Sequence, residues 1–266
     1  MRLVDSHSHF DAAEFDSDRA QAHARALDAG VTRQVVPAVD AACWPKLKAV
    51  CAEYPGLFPA YGLHPMYLAS HRPTHLRDLR DWIERERPVA VGECGLDFFV
   101  DGLDTEAQGF YFEGQLRLAR EFDLPVIVHA RRAVDPAIAA IRKAGELRGV
   151  VHSFSGSAEQ AAQLWKLGFL LGIGGPVTHE RANRLRRTVA TMPLEQLLLE
   201  TDSPDQPGAA HRGERNEPGY LPEVLDVIAG LRGMEREELA AATTANAERL
   251  FALPSQECPR GAIARA

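Results

Sequence analysis

The sequence predicts an α/β chain folded as a single-domain (β/α)8 TIM barrel, on three observations. Short β-branched runs alternate with helical patterns eight times along 266 residues. Several runs, such as Val126-Ile127-Val128 and Leu197-Leu198-Leu199, are apolar throughout, as parallel strands covered on both faces are. His, Glu and Asp residues recur where those strands end. A doubly wound open sheet shares the alternation. The recurrence of polar residues at strand ends favours the barrel, where all those ends converge on one mouth.

The elements follow in order. The first strand, 2–6, ends on His7-Ser8-His9, and a helix follows over 16–29. The second, 33–39, precedes a helix over 43–54. The third, 57–62, leads into Gly62-Leu63-His64-Pro65 and a helix over 75–86. The fourth, 88–92, leads into Gly92-Glu93-Cys94-Gly95-Leu96-Asp97. Its helix, 104–123, carries a stripe of Ala107, Phe110, Tyr111, Gly114, Leu118 and Phe122 at helical spacing. The fifth strand, 124–129, ends in His129 with Arg131 beyond, before a helix over 133–145. The sixth, 149–153, brings His152 and Ser153-Phe154-Ser155-Gly156, then a helix over 157–167. The seventh, 168–173, runs into Gly174-Gly175 and a helix over 179–190. The eighth, 196–201, ends in Glu200-Thr201-Asp202-Ser203-Pro204. A loop from Ser203 to Gly219, rich in Pro, Gly and charge, separates it from a helix over 220–231 striped by Leu221, Val224, Leu225 and Ile228. Loops of that length inside a compact domain are usually functional. A last helix fits 235–251. One domain is expected over 1–253, with a loosely ordered tail over 254–266.

Hydrophobic residues at 45% and charged residues at 25% are ordinary for a globular protein in water. The net charge of −7 excludes a broad basic surface that coats duplex DNA. An acidic chain can still take a nucleic-acid end where bound cations supply the positive charge. Cys43, Cys51, Cys94 and Cys258 form no CxxC pair and no disulfide framework. No apolar leader and no run of membrane-spanning length is visible. A cytoplasmic protein with reduced thiols and no membrane association is the expectation.

His7 and His9 stand two residues apart at the end of a strand, so both imidazoles point to one side and can grip one metal ion. Taken singly, each polar residue is ordinary. A His at a strand end is usually a hydrogen-bonded structural residue, Glu93 can be a surface charge or a cap, and Asp202 before Ser-Pro can be a turn former. His23, His71, His75 and His179 lie in helix or loop contexts and read as ordinary. Four His, one Glu and one Asp at successive strand ends are a different matter, and they point to metal binding. Only a closed ring brings strand 1 beside strand 8, where Asp202 can meet His7 and His9.

These stretches, together with His129-Ala130-Arg131 and Arg215-Asn216-Glu217-Pro218, occur in order over residues 5 to 218. In them the chain resembles the TatD-type metal-dependent deoxyribonucleases of the amidohydrolase-like barrels. The resemblance implies that His7 and His9 bind the more buried of two divalent cations with Asp202 close by. It implies that Glu93 bridges the two and that His129 and His152 complete the second. Four imidazoles suit Zn or Mn better than Mg, which prefers oxygen ligands, although Mg remains possible. Two such ions share a hydroxide and stabilise charge on a transferring phosphoryl group, with Asp202 as general base.

Other residues have two readings each. His64 either contacts a phosphate or leaving group, as a catalytic and substrate-binding residue, or buttresses a Pro turn. One of Arg131 and Arg132 clamps a phosphate while the other is a solvated helix-start charge. Arg212 and Arg215 in the long loop meet substrate, although that loop also carries Asp205, Glu214 and Glu217. Gly174-Gly175 presents backbone N–H groups to an anion or is an ordinary glycine turn. Asp5 and Asp97 orient ligands. Phe10, Tyr67, Phe98, Phe99 and Phe154 near the mouth either stack a terminal base or wall the pocket. Hydrolysis of DNA phosphodiesters, at single strands or 3′ ends, is the leading expectation for a monomeric enzyme with no obligate protein partner. The alternative keeps the metals and hydrolyses an amide, lactone or ester, including aminoacyl esters on tRNA.

Overall fold

The structure, a computed structural model, describes residues 1–254. Eight strands form one parallel sheet in sequence order: β1 (Leu3–Asp5), β2 (Val31–Pro37), β3 (Leu57–Tyr61), β4 (Ala90–Asp97), β5 (Val126–Arg131), β6 (Gly149–Val151), β7 (Phe169–Ile173) and β8 (Leu197–Leu199). The ring closes through backbone bonds just beyond β1 and β8. Ser6 N–H donates to the Leu199 carbonyl at 2.9 Å, and Asp202 N–H to the His7 carbonyl at 2.9 Å. The helices between strands are α1 (Arg19–Asp28), α2 (Trp44–Glu53), α3 (Thr74–Glu86), α4 (Thr105–Glu121), α5 (Val134–Ala144), α6 (Ala158–Lys166) and α7 (Asn183–Thr191), with α8 (Leu221–Arg232) and α9 (Arg236–Phe251) after β8. This is the (β/α)8 barrel that the sequence predicts. The tail expected over 254–266, Pro254 apart, lies outside the described residues, as does Cys258.

Each strand gives one side chain to an apolar plug inside the ring: Val4, Val35, Ala60, Ala90, Ile127, Val150, Leu170 and Leu198. Ala247, Leu250 and Phe251 of α9, with Leu253, seal this plug from below. Arg33 sits there too, buried, with its guanidinium 2.5 Å from Glu248 Oε1 on α9. The plug fills the N-terminal half of the barrel and leaves the C-terminal end for polar side chains.

Most element ends shift by a few residues from the sequence expectation, and two differences bear on the site. β4 runs on through Asp97, so Glu93 lies within the strand rather than past its end. The pairing with β5 slips between Val91 and Cys94, where β4 spends three residues against two of β5. Such a bulge re-aims the side chain that occupies it. In α4, Phe110 is exposed although the apolar stripe includes it, while Gln108 and Gln115 are buried. Strand ends carry backbone groups that need partners, and the two glutamines supply them. Gln115 accepts from Leu63 N–H at 2.8 Å and donates to the Leu63 carbonyl at 3.0 Å. Gln108 makes the same pair of bonds to Asp97, at 2.7 and 2.9 Å. The α8 stripe is buried as expected.

The long loop folds into two short 3-10 turns, Ala209–His211 and Pro218–Tyr220. Asn216 pins it by donating to the carbonyls of Thr201 and Asp205, each at 2.8 Å.

Candidate metal centre

Strand parity carries the donors. Two residues beyond the plug, the same inward face brings His129 from Ile127, His152 from Val150 and Glu200 from Leu198. Glycines make the room. A Cβ on Gly62 would stand 2.5 Å from the Gly92 carbonyl carbon, and one on Gly172 would overlap the Glu200 carboxylate.

The six donors expected from the sequence converge. His7 Nε2 lies 3.1 Å from Glu93 Oε2 and 3.4 Å from Asp202 Oδ1. His9 Nε2 lies 3.4 and 3.7 Å from the same two oxygens, and 3.3 Å from His7 Nε2. A tetrahedral ion with ligands about 2.0–2.2 Å away spaces them about 3.3–3.6 Å apart. The first set comes close to that spacing. Glu93 Oε2 at its centre is buried and, beside those imidazoles, accepts no hydrogen bond, as suits an oxygen that would ligate a cation.

Glu93 turns its other oxygen to a second set. Oε1 lies 2.7 Å from His152 Nε2 and 3.0 Å from His129 Nδ1, and those two nitrogens are 3.1 Å apart. The set is tighter, at hydrogen-bond distance, but its chemistry of two imidazoles and a carboxylate oxygen is that of a divalent transition-metal site.

Outer contacts fix which imidazole nitrogen faces inward. His9 Nδ1 donates to the Pro37 carbonyl at 3.1 Å, leaving Nε2 for the centre. His129 Nε2 donates to Asp97 Oδ2 at 2.8 Å, leaving Nδ1. Asp97 is itself held by Phe99 N–H and Val100 N–H at 2.9 and 3.0 Å. Asp5 accepts from Thr201 N–H, Thr201 Oγ1 and His7 N–H, stapling the ends of β1 and β8 that carry His7 and Asp202. Both aspartates thus take the orienting places expected of them.

His64 joins the second set. Met66 N–H donates to its Nδ1 at 3.1 Å, so a neutral His64 carries its proton on Nε2, 3.0 Å from Glu93 Oε1. Burial lowers it to about 4, against the pull of Glu93, and so keeps it neutral. Burial alone would raise the Glu93 carboxyl, but the imidazoles of His152, His64 and His7 hold it well below the usual carboxylate range. Burial would likewise lower His9, yet Glu93 and Asp202 raise it to about 9. Burial pushes Asp202 up to about 6 against His152 and His9. Burial and the neighbouring His152 push His7 the other way, well below its ordinary value.

Above the donors opens a cavity of about 810 Å³. Arg131 lines it, as do Tyr67, Phe154 and Gly174. The other residues considered for substrate contact lie elsewhere. Arg132 packs on the Phe99 ring instead of lining the cavity. Arg215 ties the long loop to Asp18 at 2.6 and 2.8 Å and stacks on Phe15, because the acidic start of α1 claims its guanidinium first. Arg212 is exposed away from the cavity. Phe10 is fully buried against Phe15, His23 and Tyr54, with no face for a base. His71, read as ordinary, donates to the His64 carbonyl at 2.9 Å.

Three contributors carried no assigned role in the sequence. Glu200 Oε1 accepts from Ser153 N–H and lies 3.7 Å from His152 Nδ1. Its parity with Leu198 is a signal that could have found it. Gln206 donates to Asp202 Oδ2 and accepts from Ser153 Oγ at 2.8 Å, locking Asp202 with Oδ1 toward the imidazoles. Lys46 reaches the cavity from α2, held by Asp16 at 2.9 Å. Nothing in the local sequence marks the last two.

Comparison with known proteins places the chain in a family. A family model described as TatD related DNase matches residues 4–252. A protein of Escherichia coli, strain K12, named uncharacterized metal-dependent hydrolase YjjV is 40% identical over 256 residues, covering 95% of this chain and 99% of that protein. Its crystal structure, described as a TatD homolog, superposes with a TM-score of 0.92 at 39% identity, over 95% of this chain and 99% of that one. A protein of Erwinia billingiae named 3′-5′ ssDNA/RNA exonuclease TatD is 36% identical, over 92% of this chain and 97% of its own.

Proposed function

The chain belongs to the TatD-related DNase family of metal-dependent hydrolases, and from that premise we propose that it is a deoxyribonuclease acting on single strands or 3′ ends. The observation that carries the reading is the division of Glu93 between two donor sets, Oε2 toward His7 and His9, Oε1 toward His129 and His152. His7, His9 and Asp202 would hold one divalent cation, His129 and His152 the other, with Glu93 between them. The imidazole-rich set favours a transition-metal ion over Mg, and Zn or Mn is the ion we expect. When bound, the pair supplies a water of lowered pKa and positive charge for the transferring phosphoryl group. The naming of the Erwinia billingiae relative supports nucleic acid as substrate.

The chain's own groups do the rest. Asp202 orients the attacking water and accepts its proton, with Oδ2 held by Gln206 so that the carboxylate does not swing away. His64 keeps a proton on Nε2 and so fixes Glu93 Oε1, with its ring 4.6 Å from that of His129. Arg131, at the rim and without a carboxylate partner among the described residues, offers its fork to a substrate phosphate.

The test compares the purified wild type with Asp202→Asn on a labelled single-stranded oligodeoxynucleotide, with Zn or Mn added. General-base loss is expected to slow cleavage by about 10²–10⁴-fold. Cleavage undiminished in the variant would sink the reading. Hydrolysis of aminoacyl esters but not of DNA would move it to carbonyl chemistry on the same centre.

A further inference from the structure

We propose that the side of the mouth formed by the segments after β3, β4 and β5 is a track for single-stranded nucleic acid, stacking bases on Tyr67 and Phe98 and seating a backbone phosphate on Arg131. The proposal rests on the phosphodiesterase reading above and says where the strand lies once its reacting end is in the centre.

Exposed large apolar side chains gather here. Met66, Tyr67, Phe98 and Phe99 are each 40–45% exposed, in two consecutive strand-to-helix segments, whereas the helices show such residues singly, as at Leu27, Phe110 and Trp165. Grouped exposure beside a polar cavity marks a binding surface. The group is joined to the centre. The Tyr67 ring stands edge-on to His64 at 5.8 Å, and His64 touches Glu93.

The cations are prepared as well. The Arg131 guanidinium lies 3.6 Å from the centroid of the Phe99 ring, and that of Arg132 lies 4.6 Å from it. Stacking holds an arginine in place while leaving its N–H fork free for phosphate. Phe98 N–H donates to the Arg131 carbonyl at 2.9 Å, which ties the backbones of the two segments together beside that stack. The segments after β1 and β8 give the cavity Asp11, Glu14 and Asp205, and α2 adds Lys46, which Asp16 holds. Carboxylates outnumber the one ammonium there, which disfavours a phosphate backbone and leaves the aromatic side as the way out. Bases inside a duplex offer no free face, so a stacking surface selects single strands.

The experiment uses the metal-loaded full chain and phosphorothioate oligothymidylates of two and ten nucleotides, with affinity read by fluorescence anisotropy. Wild type is expected to bind the ten-mer at least tenfold more tightly than the two-mer. Tyr67→Ala, Phe98→Ala and Arg131→Gln are each expected to weaken the ten-mer by roughly tenfold, and the two-mer by less. Tyr67→Phe should restore the stacking, and unchanged melting curves would show the variants folded. Equal losses at both lengths, no loss at either, or a duplex competing as well as the single strand would overturn the track. Cleavage of the unmodified two-mer with no length preference in binding sinks the track and keeps the phosphodiesterase reading. Length-dependent binding that the variants weaken, with no cleavage of any phosphodiester, keeps the track and sinks that reading.

Discussion

His129 shows how much of the centre depends on residues that touch no cation. Its Nε2 proton goes to Asp97, which is buried and held by two backbone N–H groups. An orienting carboxylate of this kind fixes the tautomer and strengthens the ligand. Asp97→Asn is therefore expected to weaken divalent binding at the His129–His152 set by about 10–100-fold while leaving the His7–His9 set near wild type. Titration with Zn or Mn followed by calorimetry checks this, and loss of both affinities together would mean that Asp97 serves the fold rather than one set. The donors themselves were legible in the sequence because His, Glu and Asp are costly to bury and recur at strand ends only for a reason. Asp5 and Asp97 were legible as their neighbours. Arg215 was misread because a motif position does not reveal that Asp18, 197 residues away, claims the guanidinium. Gln206 was invisible, since its two bonds depend on a turn in the long loop.

Elements place those residues through backbone contacts more than through side-chain packing. α4 is the clearest case, because Gln115 and Gln108 clamp the chain at Leu63, beside His64, and at Asp97. Replacing Gln115 by Leu keeps the volume and orphans a buried donor and acceptor, each worth about 1–3 kcal/mol. Equilibrium urea unfolding should report that loss for Gln115→Leu and a change within about 0.5 kcal/mol for Phe110→Ala, since Phe110 is exposed. The apolar stripe alone predicts the reverse order. This is the limit of periodicity as a guide: it finds where a helix lies, as for α8 and α4 alike, but counts a buried glutamine as surface. β4 has the same lesson in strand form. Gly92 and Gly95 read as breakers, yet the strand absorbs them with a bulge and continues to Asp97.

At the scale of the whole molecule, the barrel is a closed apolar plug sealed by α9 beneath an open polar ring. The ring closes at one place where donors on β1 and β8 face each other, and Glu93 on β4 reaches across to donors on β5 and β6. A pair of cations held by His7, His9, Glu93, His129, His152 and Asp202 would cross-link five of the eight strand ends. The unfolded chain holds these donors apart, so binding counts toward folding stability. At free metal a hundredfold above the dissociation constant, one such site adds about 2.7 kcal/mol. For a chain of 266 residues that corresponds to a rise of roughly 5–10 °C in Tm. Dialysis against a chelator is expected to lower the melting temperature by that amount, and Zn or Mn to restore it in a concentration-dependent way. Mg should restore it less, because four of the six donor groups are imidazoles. A melting temperature indifferent to chelator and to added metal would mean that the six groups are held together by their own hydrogen bonds, and the metal reading of the centre would fail with it.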